Sequence, residues 1–257
     1  MENSLSLKDK NILITGVSRA SGIGAAIAKR FVQADGNIII HGNPTYDADM
    51  NYPDASVDFY SDIASEYNFQ TIDPSDLSEH GEPEKVIRNA QKPFGNLEGL
   101  VLNHAYSVNS SIFDCTADNI DKHFNVNVRA SMLMIKAFAK QIDKNKGGVV
   151  TLFTSGQYLG PMINEIAYAV SKEAIRGLCK QLSVALAEHN IRVNCINPGP
   201  TDTGYLSGNA YDEVAKMFPF GRWGTPDDAA RLAHFLHSDE ASWITGQIIA
   251  SEGGFLR

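Results

Sequence analysis

Cysteine is scarce. Three occur in 257 residues, Cys115, Cys179 and Cys195. That number gives no disulfide framework, and their spacing matches neither a zinc site nor a redox pair, so no metal is expected. They are expected to be reduced and mostly buried, as in a cytoplasmic protein. Long apolar runs are missing too. None approaches the ~20 residues of a membrane-crossing helix. The opening Met1-Glu2-Asn3-Ser4, followed by Lys8-Asp9-Lys10, has neither the basic nor the apolar region of an export signal. Positive charge is in deficit: 22 Lys and Arg stand against 30 Asp and Glu, a formal net charge of -8. Such a surface repels phosphate backbones and anionic lipid, which points away from nucleic acid and membrane and towards a small molecule as the partner. No internal repeat or low-complexity tract is visible.

Short apolar runs alternate with helical stretches. Asn11 to Thr15, Ile38 to Ile40, Phe69 to Ile72, Leu100 to Leu102, Val149 to Phe153, Ile191 to Ile196 and Gln247 to Ala250 read as seven strands. Near-continuous apolar strands separated by helices predict a parallel sheet covered on both faces. Right-handed crossovers then give a doubly wound α/β arrangement of the Rossmann type, with the whole chain, 1–257, as one domain. Two segments interrupt the rhythm. Asn43 to Ala55, with Pro44 and Pro53, reads as an unusually long loop. Residues 201–226 carry Gly204, Gly208, Pro219, Gly221 and Gly224 around a short helical piece, Tyr211 to Met217, and read as a lid.

The first strand runs into Thr15-Gly16-Val17-Ser18-Arg19-Ala20-Ser21-Gly22-Ile23-Gly24, which opens a helix. Glycines here permit a tight bend and a close approach of backbone to a pyrophosphate, and the helix N-terminus supplies N–H groups for the anion. Folds that take the non-phosphorylated dinucleotide usually carry an acid just after the second strand, for the ribose diol. Here that strand ends Ile40-His41-Gly42-Asn43. Arg19 and His41 are placed to face a ribose 2′-phosphate, which favours NADP(H) over NAD(H). The alternative is that Asp47 or Asp49 folds back to replace the missing acid.

Tyr168 and Lys172 are one helical turn apart, so phenol and ammonium share a face. A free tyrosine has a pKa of about 10, and a neighbouring cation favours its ionised form. Ser155 stands just after the fifth strand, where its hydroxyl can hold a reacting oxygen beside the phenol.

With these residues in place the sequence resembles the short-chain dehydrogenase/reductase family from about Leu7 to Phe255, and within it a subgroup similar to 3-oxoacyl-carrier-protein reductases. Thr15, Gly16, Gly22 and Gly24 resemble the family's Thr-Gly-x-x-x-Gly-x-Gly, with two extra residues between the first and second glycines. The resemblance implies that Gly16, Ser18, Arg19, Gly22, Ile23, Gly24 and His41 bind a nicotinamide dinucleotide. Asp76 and Leu77 would hold the adenine, and Asn103 and Ala105 keep the family's pattern after the fourth strand, while His104 and Tyr106 depart from it. Ser155, Tyr168, Lys172 and Asn127 match the catalytic residues, with Asn127 organising a proton-relay water. Tyr168 would protonate a carbonyl oxygen, Lys172 would lower its pKa and bind the cofactor ribose, and Tyr168 too would contact the cofactor. Pro198, Gly199, Thr201 and Thr203 match the Pro-Gly segment that contacts nicotinamide and pyrophosphate, and the last strand and tail imply a homotetramer or homodimer. Tyr106, Gln157, Tyr158 and Tyr205 are expected to wall a pocket for a medium-sized, mainly apolar carbonyl compound. The expected activity is reversible hydride transfer between the cofactor and a carbonyl or alcohol, as NADPH-dependent ketone reduction of the 3-oxoacyl type. The alternatives are enoyl reduction, which the close Tyr168–Lys172 spacing disfavours, and a catalytically silent dinucleotide-binding regulator.

Overall fold

A computed structural model describes residues 4–255, apart from 53, 55–62, 64, 65 and 68. Seven parallel strands form one sheet in the order β3-β2-β1-β4-β5-β6-β7. They are β1 (Asn11–Thr15), β2 (Asn37–His41), β3 (Gln70–Thr71), β4 (Gly99–Leu102), β5 (Gly148–Phe153), β6 (Ile191–Asn197) and β7 (Ile248–Ala250). The strand order reverses between β1 and β4, which leaves a crevice at their carboxyl ends. The seven expected strands are all present, within two residues at each end.

The apolar runs explain the layering. Successive side chains of a strand point to opposite faces, and here both faces are covered. Ile12, Ile14, Ile38 and Ile40 enter one core with Ile27 and Phe31 of α1 (Ile23–Gln33). Leu13, Ile39, Leu100 and Leu102 enter the other, against helices that include α3 (Glu82–Phe94). Cys179 and Cys195 are buried free thiols, and Cys115 is half-buried.

Two irregular elements bear on the crevice. The segment expected as a loop after β2 holds a short helix, α2 (Pro44–Asp49). Asn43 caps it by accepting from the Tyr46 amide, and Pro44 supplies the fixed φ of its first turn. Pro53 and Ala55, at the far end of that expected loop, lie outside the described residues. A helix after β4 runs as α4 (Ala117–His123), a π-helical stretch (Phe124–Ala130) and α5 (Ser131–Gln141). Single π turns of this kind re-aim side chains at functional sites. The long helix α6 (Ile166–Ala185) carries Tyr168 and Lys172. In the segment 201–226, α7 (Gly208–Ala215) packs Tyr211 flat on Trp223, with ring centres 4.7 Å apart, and the Trp223 indole N–H donates to the Tyr211 carbonyl. Among the described residues no helix is long and apolar enough to cross a membrane.

Candidate active site

The crevice begins where β1 stops. Thr15 donates to the Val101 carbonyl and lies 2.7 Å from His104 Nδ1, tying β1 to the turn after β4. Gly16 follows in the left-handed region (φ +69°), and a Cβ there would stand 2.8 Å from the His104 amide nitrogen. Asn103 donates to the Gly16 carbonyl. The turn is thus pressed against residues 103 and 104 with no room for a side chain. Gly22 caps α1 without any side-chain hydrogen bond, so the helix presents its N-terminus to the crevice.

Beside this turn lies a cavity of about 470 Å³ lined by Gly16, Ser18, His41, Asp76, Leu77, Asn103, Ala105 and Tyr106, and also by Tyr46, Asp47 and Asp49. A smaller cleft of about 170 Å³ adjoins it, between Gly16, Arg19, Gly22, Ile23 and Asn103 on one side and Thr203 on the other. Pro198, Gly199 and Thr201 carry the chain from β6 towards Thr203, and Gly199 turns with φ +62°. Arg19 does not face the large cavity. Its guanidinium donates to Asp54 at 3.1 Å and to the Thr203 carbonyl at 3.0 Å, lies 3.7 Å from Asp47, and stacks on the Tyr52 ring at 3.9 Å. Ser18 donates to Asp47, and Ser21 donates to Asp54 through both amide and hydroxyl. His41 is buried and bonded to Ser75, its Nδ1 has no partner among the described residues, and burial pushes its pKa down to about 4. Both residues expected at a 2′-phosphate are therefore in the neighbourhood, but one is shared between two carboxylates and the other is neutral.

Ser155, two residues past β5, lies beside the Tyr168 phenol and favours its ionised form. Lys172 is buried, its ammonium donating to the Phe153 carbonyl at 3.0 Å and standing 5.6 Å from the centre of the Tyr168 ring. Thr154 donates to the Lys172 carbonyl, so the end of β5 grips this residue at both main chain and side chain. The expectation that Lys172 lowers the phenol's pKa is not met. Burial pushes Tyr168 above its ordinary value, against the opposing effect of Ser155, and desolvation lowers Lys172 itself to about 8. Desolvation by burial is the largest cause for both groups.

Asn127, buried in the π-helical stretch, does not extend into open space. Its Oδ1 accepts from the Tyr106 amide at 2.7 Å, and its Nδ2 donates to the Tyr106 carbonyl at 3.0 Å and to Ser171 Oγ at 2.9 Å. The Tyr106 ring lies between Tyr46 (5.6 Å) and His123 (4.7 Å, edge-on), and the His123 ring lies 6.4 Å from that of Tyr168. Tyr46 accepts from the Ser107 amide and donates to its carbonyl, so α2 is anchored across the crevice. Of the expected pocket residues, Tyr205 packs its edge on Trp223 at 6.0 Å. Gln157 and Tyr158 line a separate open groove with Met162, Val170 and Arg176.

Sequence reasoning missed Tyr46, His123, Thr154 and Asp54. Asn43-Pro44, a helix start, was the available signal for Tyr46. The others lie in ordinary helical or loop contexts. No group of three His, Cys, Asp or Glu among the described residues is placed to hold a metal ion.

A family model described as enoyl-(acyl carrier protein) reductase matches residues 16–256. The chain belongs to the short-chain dehydrogenase/reductase family. It is 37% identical to an uncharacterized oxidoreductase of Bacillus subtilis, YjdA, over 97% of this chain and 98% of the relative. It is 31% identical to the 3-oxoacyl-[acyl-carrier-protein] reductase FabG of Aggregatibacter actinomycetemcomitans, over 95% and 98%. A mutant short-chain dehydrogenase/reductase of Serratia marcescens superposes with a TM-score of 0.86 at 26% identity, covering 98% of this chain and 99% of the other. BdcA, whose structure is a complex with NADPH, superposes with a TM-score of 0.82 at 27% identity, covering 97% and 96%. The family assignment makes the chain an oxidoreductase that uses a nicotinamide cofactor and acts on small molecules.

Proposed function

We propose that this short-chain dehydrogenase/reductase reduces a ketone, acting on the CH–OH/C=O couple, with Tyr168 as the proton donor. The observation that carries the reading is the buried Lys172 ammonium, held by the Phe153 carbonyl 5.6 Å from the centre of the Tyr168 ring, with Ser155 beside the phenol. The crevice fits a dinucleotide: Gly16 turns against Asn103 and His104 with no room for a Cβ, α1 opens onto it without a side-chain cap, and buried His41, which lines it, has an Nδ1 with no partner among the described residues. Gly16, Ser18, Gly22, Ile23 and Gly24 would hold the pyrophosphate, Asp76, Leu77, Asn103 and Ala105 the adenosine side, and Pro198, Gly199, Thr201 and Thr203 the nicotinamide side. When bound, the dinucleotide supplies or accepts the hydride.

The chain's own groups do the rest. Ser155 and Tyr168 converge as two donors on one oxygen, where negative charge grows during reduction. Burial keeps the phenol protonated at neutral pH, which is the form a reductase needs. Lys172 remains largely charged at pH 7 and is held at the height of the phenol by the Phe153 carbonyl. Asn127 serves by fixing the Tyr106 turn. Tyr106 and Tyr205 border the substrate, and the segment 201–226 closes over it as a lid.

A 3-oxoacyl-type ketone is consistent with the identity to FabG. Enoyl reduction is the second reading, favoured by the description of the matching family model. The one-turn spacing of Tyr168 and Lys172 and the Ser155 partner weigh for the carbonyl. Buried free thiols suit a reducing compartment such as the cytoplasm. The exposed apolar side chains Val184 and Trp243 suit self-association as a tetramer or dimer.

The test is oxidation of reduced dinucleotide by the purified protein with a panel of ketones, 3-oxoacyl thioesters and enoyl thioesters. Turnover of ketones but not of enoyl thioesters supports the assignment. Dinucleotide binding without turnover of any compound would make the chain a silent binding protein.

A further inference from the structure

The carboxylate that a ribose diol ordinarily meets just after the second strand is missing here, and the packing explains why. At the end of β2 the Val17 amide donates to the His41 carbonyl, which draws the glycine loop onto the strand. A Cβ on Gly42 would stand 2.5 Å from the Val17 carbonyl oxygen, so no acidic side chain fits at that position. The acid has to come from elsewhere, and α2 brings one.

We infer that Asp47 accepts the adenosine ribose hydroxyls, and that Asp47, through its hold on Arg19, makes the enzyme prefer NAD(H) to NADP(H). This rests on the proposed reading of the crevice as a dinucleotide site. Asp47 lines the large cavity together with Gly16 and with Asp76 and Leu77 of the adenine side. Ser18 donates to one oxygen of the carboxylate and orients it, and a carboxylate so held keeps lone pairs for further donors.

The same arrangement opposes a 2′-phosphate. One guanidinium, Arg19, is shared between Asp47 and Asp54 and also serves the Thr203 carbonyl. Its face is covered by Tyr52. Two carboxylates to one cation leave this corner negative. A phosphate placed there would have to displace Asp47 from Arg19 and would then face the Asp47 carboxylate. His41 is neutral at pH 7. Its Nδ1, without a partner among the described residues, can bond a hydroxyl but brings no charge to a phosphate. Lys122, the lysine of this lining, stands 6.0 Å from the Tyr106 ring, and the Tyr106 end is where its charge acts.

The experiment is a fluorescence titration of the protein with NADH and with NADPH, without substrate, for the wild type, Asp47→Ser, Asp47→Asn and Asp49→Ser, each checked by its melting temperature. The wild type is expected to bind NADH on the order of tenfold more tightly than NADPH. Asp47→Ser is expected to shift that ratio towards NADPH by about tenfold or more, because it loses the acceptor and frees Arg19. Asp47→Asn keeps the shape and an acceptor, so it should shift the ratio in the same direction by less. Asp49→Ser should leave it within about threefold. A wild type that prefers NADPH, or an Asp47 variant that melts normally with an unchanged ratio, overturns the inference and leaves the enzyme reading standing. Binding of neither dinucleotide overturns both.

Discussion

Asn127 holds the main chain of Tyr106 at both of its polar atoms, accepting from its amide and donating to its carbonyl. The residue expected to organise a proton-relay water thus also brackets the turn that follows β4. Asn127→Ala would leave the Tyr106 amide unpaired, at about 1–3 kcal/mol for an orphaned buried group. We expect a melting temperature several degrees lower and dinucleotide affinity weakened on the order of tenfold. Calorimetry and titration would check both. An Asn127→Ala protein that melts like the wild type would dispose of the bracket.

Tyr168→Phe keeps the ring and its packing against His123 but removes the proton donor. Turnover should fall by about 10²- to 10⁴-fold, while dinucleotide affinity stays within about twofold. Steady-state kinetics and binding on the same preparation separate the two quantities. Turnover close to that of the wild type would remove Tyr168 from the role given to it.

The alkaline limb should belong to Lys172. Its pKa is lowered from 10.5 to about 8 by desolvation, so the ammonium loses its proton as pH rises through 8. The pH dependence of kcat/KM should therefore be level near 7 and fall above about 8. Lys172→Arg stays charged and should carry that fall beyond pH 10, whatever its absolute rate. A wild-type profile flat to pH 10 would contradict the assignment.

The sheet could be read from the sequence because β1, β2, β4 and β5 are near-continuous apolar runs, the pattern of strands covered on both faces. The Tyr168–Lys172 pair could be read because an α-helix fixes what lies one turn away. The fate of Arg19 could not. It is decided by Asp47, Tyr52 and Asp54, which sit 28 to 35 positions further along on a segment whose six-residue helix is too short to show a period. The rise of the phenol's pKa was also hidden. Sequence shows the neighbouring lysine but not how much water the fold removes from both groups.

Burial of neutral imidazoles should make the fold sensitive to acid. His41 has a pKa of about 4 and His104 of about 3, each lowered chiefly by burial. Below about 6.5 the unfolded chain takes up protons that the folded one refuses, so stability present above that pH is lost as it falls towards 4. For His41 alone the loss by pH 5 is about 2 kcal/mol. With His104 the melting temperature should drop by roughly 10 °C between pH 7 and pH 5. His41→Gln should recover part of that drop. Equal midpoints at the two pH values would show that these rings are protonated in the folded state.

The two tryptophans are optically distinct. Trp243 is 96% exposed, whereas Trp223 is 4% exposed and stacked in the small core of segment 201–226. A soluble quencher such as iodide silences the first and spares the second, so the remaining emission reports on that segment alone. The closure over a ligand proposed for that segment would thus be timed in the unlabelled protein.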